Sequence, residues 1–412
     1  MVKIKIKNFG PIKEGFDQHD GYIDIKDVTV FIGNQGSGKS TVAKLISTFS
    51  WIEKALVRGD YDVKWFTRKN KLKNQYLTYH RIENYFKKKD GKEVSEIDYV
   101  GDAYRIHHKD GELTITEQGK DDYPLPQIMY VPAERNFISN VKSPKALKLT
   151  SDSLVEFVTE FDHAKGEIKG SMPLPINSTD VEYDKLNDIV NIKGADYKLR
   201  LTEASSGFQS FVPLYLVSWF LAHSVKRQSE SSKESMSSEE LERFRKGVAE
   251  IWSNSSLTEE QRRNALSVLS SRFNKTAFIN IVEEPEQNLF PQSQWEMLKS
   301  MLEFNNMSVN NKLIMTTHSP YIIAYLNIAM QAKHLSSRIK DAESNKRLLD
   351  IIPETAMVSN EKVAVYQLDE KDGSIRLLSA DYGVTTDDNF LNRSLGESNL
   401  MFDELLEIEQ GL

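Results

Sequence analysis

The chain has 412 residues, 39% of them hydrophobic and 27% charged, enough for one large α/β domain with insertions or for two modest domains. A net charge of -7 excludes a polycation built to coat nucleic acid, so any such contact must be local. The absence of cysteine excludes disulfides, thiol catalysis and thiolate metal sites, and fits a reducing compartment.

Val2 to Lys7 alternates apolar and basic residues like a strand and lacks the continuous apolar core of a signal peptide. A second alternating piece, Tyr22 to Ile25, precedes the apolar run Val28-Thr29-Val30-Phe31-Ile32, which reads as a buried central strand ended by a glycine-rich loop. Ser40 to Lys54 has helical spacing, with Val42, Leu45, Ile46 and Phe49 on one face. From Tyr61 to Lys92 ten Lys or Arg stand against three acidic residues, interleaved with Trp65, Phe66, Tyr76, Tyr79, Tyr85 and Phe86. A hairpin is expected over Ala103 to Ile115, turning at Asp110-Gly111, and then a strand over Gln127 to Val131.

Residues 141–200 read as an inserted helical and hairpin region, and 229–238 as a Ser-rich linker. The most apolar run, Phe211 to Val225, is broken by Pro213, Ser218 and His223 and is shorter than the ~20 residues that span a bilayer. A cytoplasmic protein with no membrane partner is expected. Two amphipathic helices, Glu239 to Trp252 and Glu259 to Phe273, are too short for long coiled-coil arms; the second opens with the capping pair Thr258 and Gln261. Strand–helix alternation then resumes with Ala277 to Val282, Gln292 to Phe304, Lys312 to Thr316 and a helix from Pro320, which implies a parallel sheet with helices on its faces. Val363 to Leu368 and Ser374 to Leu378 read as a terminal hairpin. The acidic, amphipathic stretch Leu400 to Glu409 reads as a packing helix or a docking site. Asp387 and Asp388 sit in a polar loop without the strand-end carboxylates of a Toprim nuclease.

Four segments carry chemistry. Gly33-Asn34-Gln35-Gly36-Ser37-Gly38-Lys39-Ser40 fits the Gly-x-x-x-x-Gly-Lys-Ser/Thr pattern between a predicted strand and a predicted helix, whose first turn continues with Thr41. Its glycines let successive backbone N–H groups face phosphates, and the helix N-terminus adds positive potential. Lys39 supplies a point charge for the β- and γ-phosphates, and Ser40 a hydroxyl for Mg2+, so ATP with Mg2+ is the expected ligand. The strand Ala277 to Val282 ends in Glu283-Glu284-Pro285-Glu286; adjacent strand residues point opposite ways, so Glu283 is expected at the metal and Glu284 at the attacking water. Leu313 to Thr316 runs into Thr317-His318-Ser319-Pro320, which places His318 at the same edge as a donor to the γ-phosphate or the water. Ala204-Ser205-Ser206-Gly207-Phe208-Gln209 opens a long apolar helix; a second phosphate-facing helix end suits the nucleotide of a partner molecule.

The order of these segments, with Asn8-Phe9-Gly10-Pro11-Ile12 near the start, resembles ABC-type ATPase heads of the Rad50, structural-maintenance-of-chromosomes and overcoming-lysogenization-defect kind. The resemblance implies an α/β P-loop NTPase with the ABC-head architecture, a mixed sheet flanked by helices. It also implies a catalytic Glu284, a switch His318 and a signature motif at Ser206, Gly207 and Gln209 that meets ATP across a head-to-head homodimer. Residues 1–60 and 127–412 are expected to form the discontinuous head, with helical insertions near 141–200 and 227–275, and 61–126 a basic, aromatic insertion. Glu283 stands where that family usually has aspartate, and Phe208 where it has a second glycine, so slow turnover is expected. Tyr130-Val131-Pro132-Ala133-Glu134-Arg135 and Ala-Ser-Ser-Gly-Phe-Gln look similar to ATPases of the Septu, retron-associated and PARIS anti-phage systems, which implies a separate effector or nuclease subunit as partner. The alternative is a DNA-repair ATPase of the RecF or Rad50 type gripping nucleic acid through 61–92; a transporter cassette fits the motifs less well.

Overall fold

Seven strands form the sheet that carries the candidate residues, in the order β10-β15-β16-β4-β17-β18-β2. In the computed structural model these are β2 (Gly15–Phe16), β4 (Val28–Gly33), β10 (Pro126–Val131), β15 (Ala277–Glu283), β16 (Lys312–Thr317), β17 (Val363–Leu368) and β18 (Ser374–Leu378). The structure describes residues 2–119, 123–141, 149, 151–230, 238–254, 257, 262, 269, 275–378 and 389–410. β10, β15, β16, β4 and β17 are mutually parallel, so their C-terminal ends share one edge. Their sequences are nearly continuous apolar runs because both faces are covered.

Residues of opposite parity feed two cores. Val28, Val30 and Ile32 of β4 point to one side, where helices α3 (Asp152–Gly166), α4 (Ser206–Glu230), α6 (Pro291–Asn306) and α7 (Pro320–Ser336) pack. Phe31 points to the other side, where α1 (Lys39–Arg58) lies with Val42, Leu45, Ile46 and Phe49 buried. α1 is covered in turn by a five-stranded antiparallel sheet, β3-β1-β7-β8-β9, built from β1 (Lys3–Lys7), β3 (Ile23–Asp24), β7 (Glu96–Val100), β8 (Tyr104–Lys109) and β9 (Glu112–Glu117). The hairpin expected around Asp110-Gly111 is thus β8–β9, and through β7 it continues the sheet opened by β1.

Glu53 ties the two layers together. It is 2% exposed and accepts hydrogen bonds from the N–H groups of Ala103 (2.7 Å) and Tyr104 (3.0 Å) and from the Tyr99 hydroxyl (2.9 Å). Burial nevertheless pushes its carboxyl up to about 7.

The basic, aromatic stretch packs inward more than it projects. A short helical turn α2 (Val63–Phe66) buries Phe66, the Trp65 indole N–H donates to the Tyr76 hydroxyl (2.9 Å), and Tyr85 and Phe86 pack on Phe9. Lys88–Lys89 (β5) and Lys92–Glu93 (β6) form a small exposed hairpin. The 141–200 region supplies α3 and a four-stranded sheet of β11 (Ser171–Pro173), β12 (Asp180–Asp184), β13 (Ile189–Lys193) and β14 (Lys198–Arg200). Of the two expected amphipathic helices, the first is α5 (Ser238–Ser253); the second, 259–273, lies outside the described residues, as do Asp387 and Asp388. The expected terminal hairpin is β17–β18, but β17 also pairs in parallel with β4 along its whole length. Its run Val-Ala-Val-Tyr-Gln-Leu is buried throughout, which is the signature of an interior strand rather than an edge.

Candidate active site

β4 ends in the glycine loop, and α1 begins at Lys39. Gly33 has φ 148°, and a Cβ there would stand 2.4 Å from the Leu368 carbonyl oxygen; Gly38 caps α1 at φ 104°. Both positions demand glycine on steric grounds. Gln35 and Gly36 are exposed at the loop tip, Ser37, Lys39 and Thr41 are buried, and Ser40 is half-buried. Lys39 Nζ donates to the carbonyls of Gly33 and Asn34, both at 2.9 Å. Burial lowers its ammonium to about 8, against the pull of Glu284, Glu286, Glu283 and Glu370. Asn34 donates to Glu370 Oε1 (3.1 Å), which lies beyond the end of β17.

β15 and β16 deliver the acids and the histidine to the same edge. Glu283 is 5% exposed; its Oε2 accepts from the Ala133 N–H (3.3 Å) and its Oε1 has no hydrogen-bond partner. Glu284 takes φ 43°, a left-handed conformation uncommon outside glycine and of the kind found where geometry serves a site. Its N–H donates to Thr316 (2.9 Å), and its carboxylate lies 3.6 Å from His318 Nε2. The His318 ring holds Glu284 below the usual carboxylate range although burial opposes it. Glu286 accepts from the His318 N–H (2.7 Å) and so fixes the backbone that carries the ring; burial raises its own carboxyl.

Arg135 was legible in the sequence only as part of a motif without a role. It is fully buried and makes four bonds to backbone carbonyls. Nη1 donates to Glu283 (2.7 Å) and Pro132 (3.4 Å), Nη2 to Glu284 (2.6 Å) and Nε to Ser210 (3.1 Å). Burial lowers it to about 10, with the three glutamates pulling the other way. One guanidinium therefore joins the end of β15 to the first turn of α4, a task for a planar fork that lysine cannot match.

Ser206 starts α4 and is exposed, as is Ser205. Gly207 packs closely, since a Cβ there would stand 2.9 Å from the Asn288 carbonyl oxygen, and Asn288 Nδ2 donates to Ser210 Oγ (3.0 Å). Gln209 spends its amide on the carbonyls of Thr202 (3.2 Å) and Ala204 (3.1 Å), so it braces the loop before α4. Among the described residues, no hydrogen bond joins Ser206 or Gly207 to the glycine loop of the same chain. The structure brings Lys39, Glu283, Glu284 and His318 together, while Phe290 at the start of α6 is exposed. A cavity of about 500 Å3 is lined by Gly33, Asn34 and His318 and also by Glu370, Lys371 and Arg393, which no motif marked.

The donor set suits a hard divalent cation. Glu283 Oε1 lacks a hydrogen-bond partner and the Ser40 hydroxyl stands in the first turn of α1, while no described group of three His, Asp or Glu residues forms a cage. Such a site leaves most positions for water and phosphate oxygens, as Mg2+ prefers.

The family model described as AAA ATPase domain matches residues 247–323, which include Glu283, Glu284 and His318. A search of curated protein sequences returns no match. Among solved structures, the SMC head domain from Thermotoga maritima aligns over 92% of this chain and 98% of its own, at 12% identity and a TM-score of 0.36. An SMC head bound to the C-winged helix domain of ScpA aligns over 91% and 96%, at 12% and 0.32. A dimeric bacterial ABC transporter cassette aligns over 91% and 97%, at 10% and 0.26.

Proposed function

We propose that the chain is an ATP-binding and ATP-hydrolysing ABC-type head that closes on a second copy of itself around nucleotide. The observation that carries this reading is the convergence of the Lys39 loop with Glu283, Glu284 and His318 on one edge of the parallel sheet. On triphosphate binding Lys39 exchanges the carbonyls of Gly33 and Asn34 for phosphate oxygens, which suit an ammonium better. Ser40 and Glu283 would hold Mg2+, which neutralises charge on the phosphates. Glu284, kept ionised by His318, orients the lytic water and takes its proton as the water oxygen bonds to the γ-phosphorus and ADP leaves. His318, set by Glu286, donates to the phosphate oxygen that gains charge.

The second copy is inferred from α4. Ser206 is exposed at the start of α4 with no hydrogen bond to the glycine loop of its own chain among the described residues, and Phe290, at the start of α6, is 76% exposed. Both features suit an interface that contributes a phosphate-facing helix in trans. The role in anti-phage defence, regulating a separate effector such as a nuclease, rests on the likeness of the Tyr130–Arg135 and Ala204–Gln209 segments to such ATPases.

The test is Glu284→Gln. It should leave ATP affinity within about twofold and cut hydrolysis by about 10^2-fold or more, so that a dimer accumulates with ATP in sedimentation velocity. Lys39→Ala should bind no ATP. A Glu284→Gln protein that hydrolyses ATP at the wild-type rate, or stays monomeric with ATP bound, removes the reading.

A further inference from the structure

We propose that a second cavity, enclosed by α1, the 72–80 segment and α3, binds an uncharged planar heterocycle of nucleoside size, and that its occupancy is felt at Glu283 through Tyr130. The cavity measures about 340 Å3, within the range of small-molecule sites. Ser47 lines it, seven residues along α1 from Ser40 and hence about 10 Å from the nucleotide loop by helix rise. It is thus a different site from the phosphate cradle.

Its walls define the ligand. Trp51 and Tyr76, with ring centroids 5.6 Å apart, and Tyr79 offer aromatic surface of the kind on which heterocycles stack. His80, 2% exposed, has no hydrogen-bond partner on either ring nitrogen. Burial lowers it to about 3, so the ring is neutral, with one donor and one acceptor that a ligand reaches by shifting the ring. Unmatched buried polar atoms are rare in folded proteins and call for an occupant. Ser47, Thr48 and Gln75 supply further polar groups suited to a sugar. Asp152 and Glu156, the latter accepting from the Tyr79 hydroxyl, also line the cavity, and no lysine or arginine is among the described lining residues. Phosphorylated or carboxylated ligands are therefore disfavoured by like charge.

The inner wall leads to the candidate active site. The His80 ring lies 4.4 Å, centroid to centroid, from that of Tyr130, which is 2% exposed. Tyr130 pairs with Ile281 across β10 and β15, and Glu283 lies two residues further along β15, on the same face of that strand. A ligand that shifts His80 moves the tyrosine packed against it, and with it the environment of the carboxylate proposed to hold the metal. That second step rests on the ATPase reading; binding itself does not.

The experiment titrates the full chain, saturated with ADP and Mg2+, with adenosine, guanosine, cytidine and uridine, read by Trp fluorescence and by ligand-observed NMR. At least one nucleoside should bind saturably, and His80→Phe and the rim variant Gln75→Trp should each weaken it by about tenfold or more. Gln75 is exposed, so its variant should fold even if His80→Phe does not. Saturating nucleoside should change the wild-type ATP hydrolysis rate by about fivefold, a typical coupling, and leave Gln75→Trp unmoved. No saturable binding by any of the four, or equal binding by both variants, overturns the site; binding without a change in rate overturns the link to Glu283. ADP separates the two sites. Nucleoside binding that is the same in ADP-free and ADP-saturated protein supports the separate cavity, and binding competed away by ADP overturns that cavity.

Discussion

Lys39 donates to two carbonyls of its own loop, and the burial of that loop sets how readily the ammonium keeps its proton. The Gly-Lys-Ser spacing identified its place in a strand–loop–helix unit. Its present partners, two carbonyls of its own loop, depend on how deeply the loop is buried, which no spacing encodes. With its ammonium lowered to about 8 by burial, Lys39 is largely uncharged at pH 9 in the free protein. Triphosphate favours the charged form, so binding at pH 9 should take up protons, by up to about one per site. Titration calorimetry at pH 9 in two buffers of different ionisation enthalpy should give that uptake, and Lys39→Arg should abolish it. Equal apparent enthalpies in both buffers for the wild type would contradict this picture. Glu284 was likewise legible as a strand-end acid, but its left-handed backbone was not, because that depends on the bond from its N–H to Thr316 on the neighbouring strand.

At the scale of elements, the strands and helices around the motifs were readable because their apolar periods are strong. The links between elements were not. Arg135 and Glu53 look in sequence like any other charged residues, and only three-dimensional closure shows both to be buried struts. Arg135→Gln should destabilise the fold by about 3 kcal/mol through unpaired buried carbonyls. In the protein that remains folded, kcat should drop about tenfold while ATP affinity holds, because Glu284 and α4 lose their common tether. Urea melts with steady-state kinetics test this; a fall in affinity equal to that in kcat would assign Arg135 to nucleotide binding instead. For Glu53 the sign follows from its raised carboxyl. Below about pH 4.5 both folded and unfolded forms are protonated and no penalty exists; between there and about 7 the unfolded chain ionises first, so stability falls as pH rises, by about 3 kcal/mol in all. Glu53→Gln should flatten that slope in melting temperatures measured from pH 5 to 8.

For the molecule as a whole, the sequence suggested an α/β sheet bearing a nucleotide loop, and the structure has that sheet. It did not suggest that the 96–117 strands extend the sheet of β1 over α1, since strand pairing across such separations leaves no periodic trace. Assembly is the property to test at this scale. Ser206→Arg places a cation on an exposed helix end, so the monomer should fold and bind ATP normally while ATP-driven dimerisation is lost. Sedimentation of Glu284→Gln with and without Ser206→Arg decides it; a double variant that still dimerises would move the interface elsewhere. DNA binding is a separate question. Neutralising Lys69, Lys71 and Lys73 in the 61–92 stretch should reduce the salt dependence of any DNA affinity.

The pairing of Val363 with Val28 has a consequence for biosynthesis. The strand flanking the one that carries the phosphate loop emerges from the ribosome hundreds of residues later, so the nascent chain must wait with that flank of β4 uncovered. Until β17 arrives, an apolar strand edge is open to chaperones and to aggregation, and maturation should be slow and late.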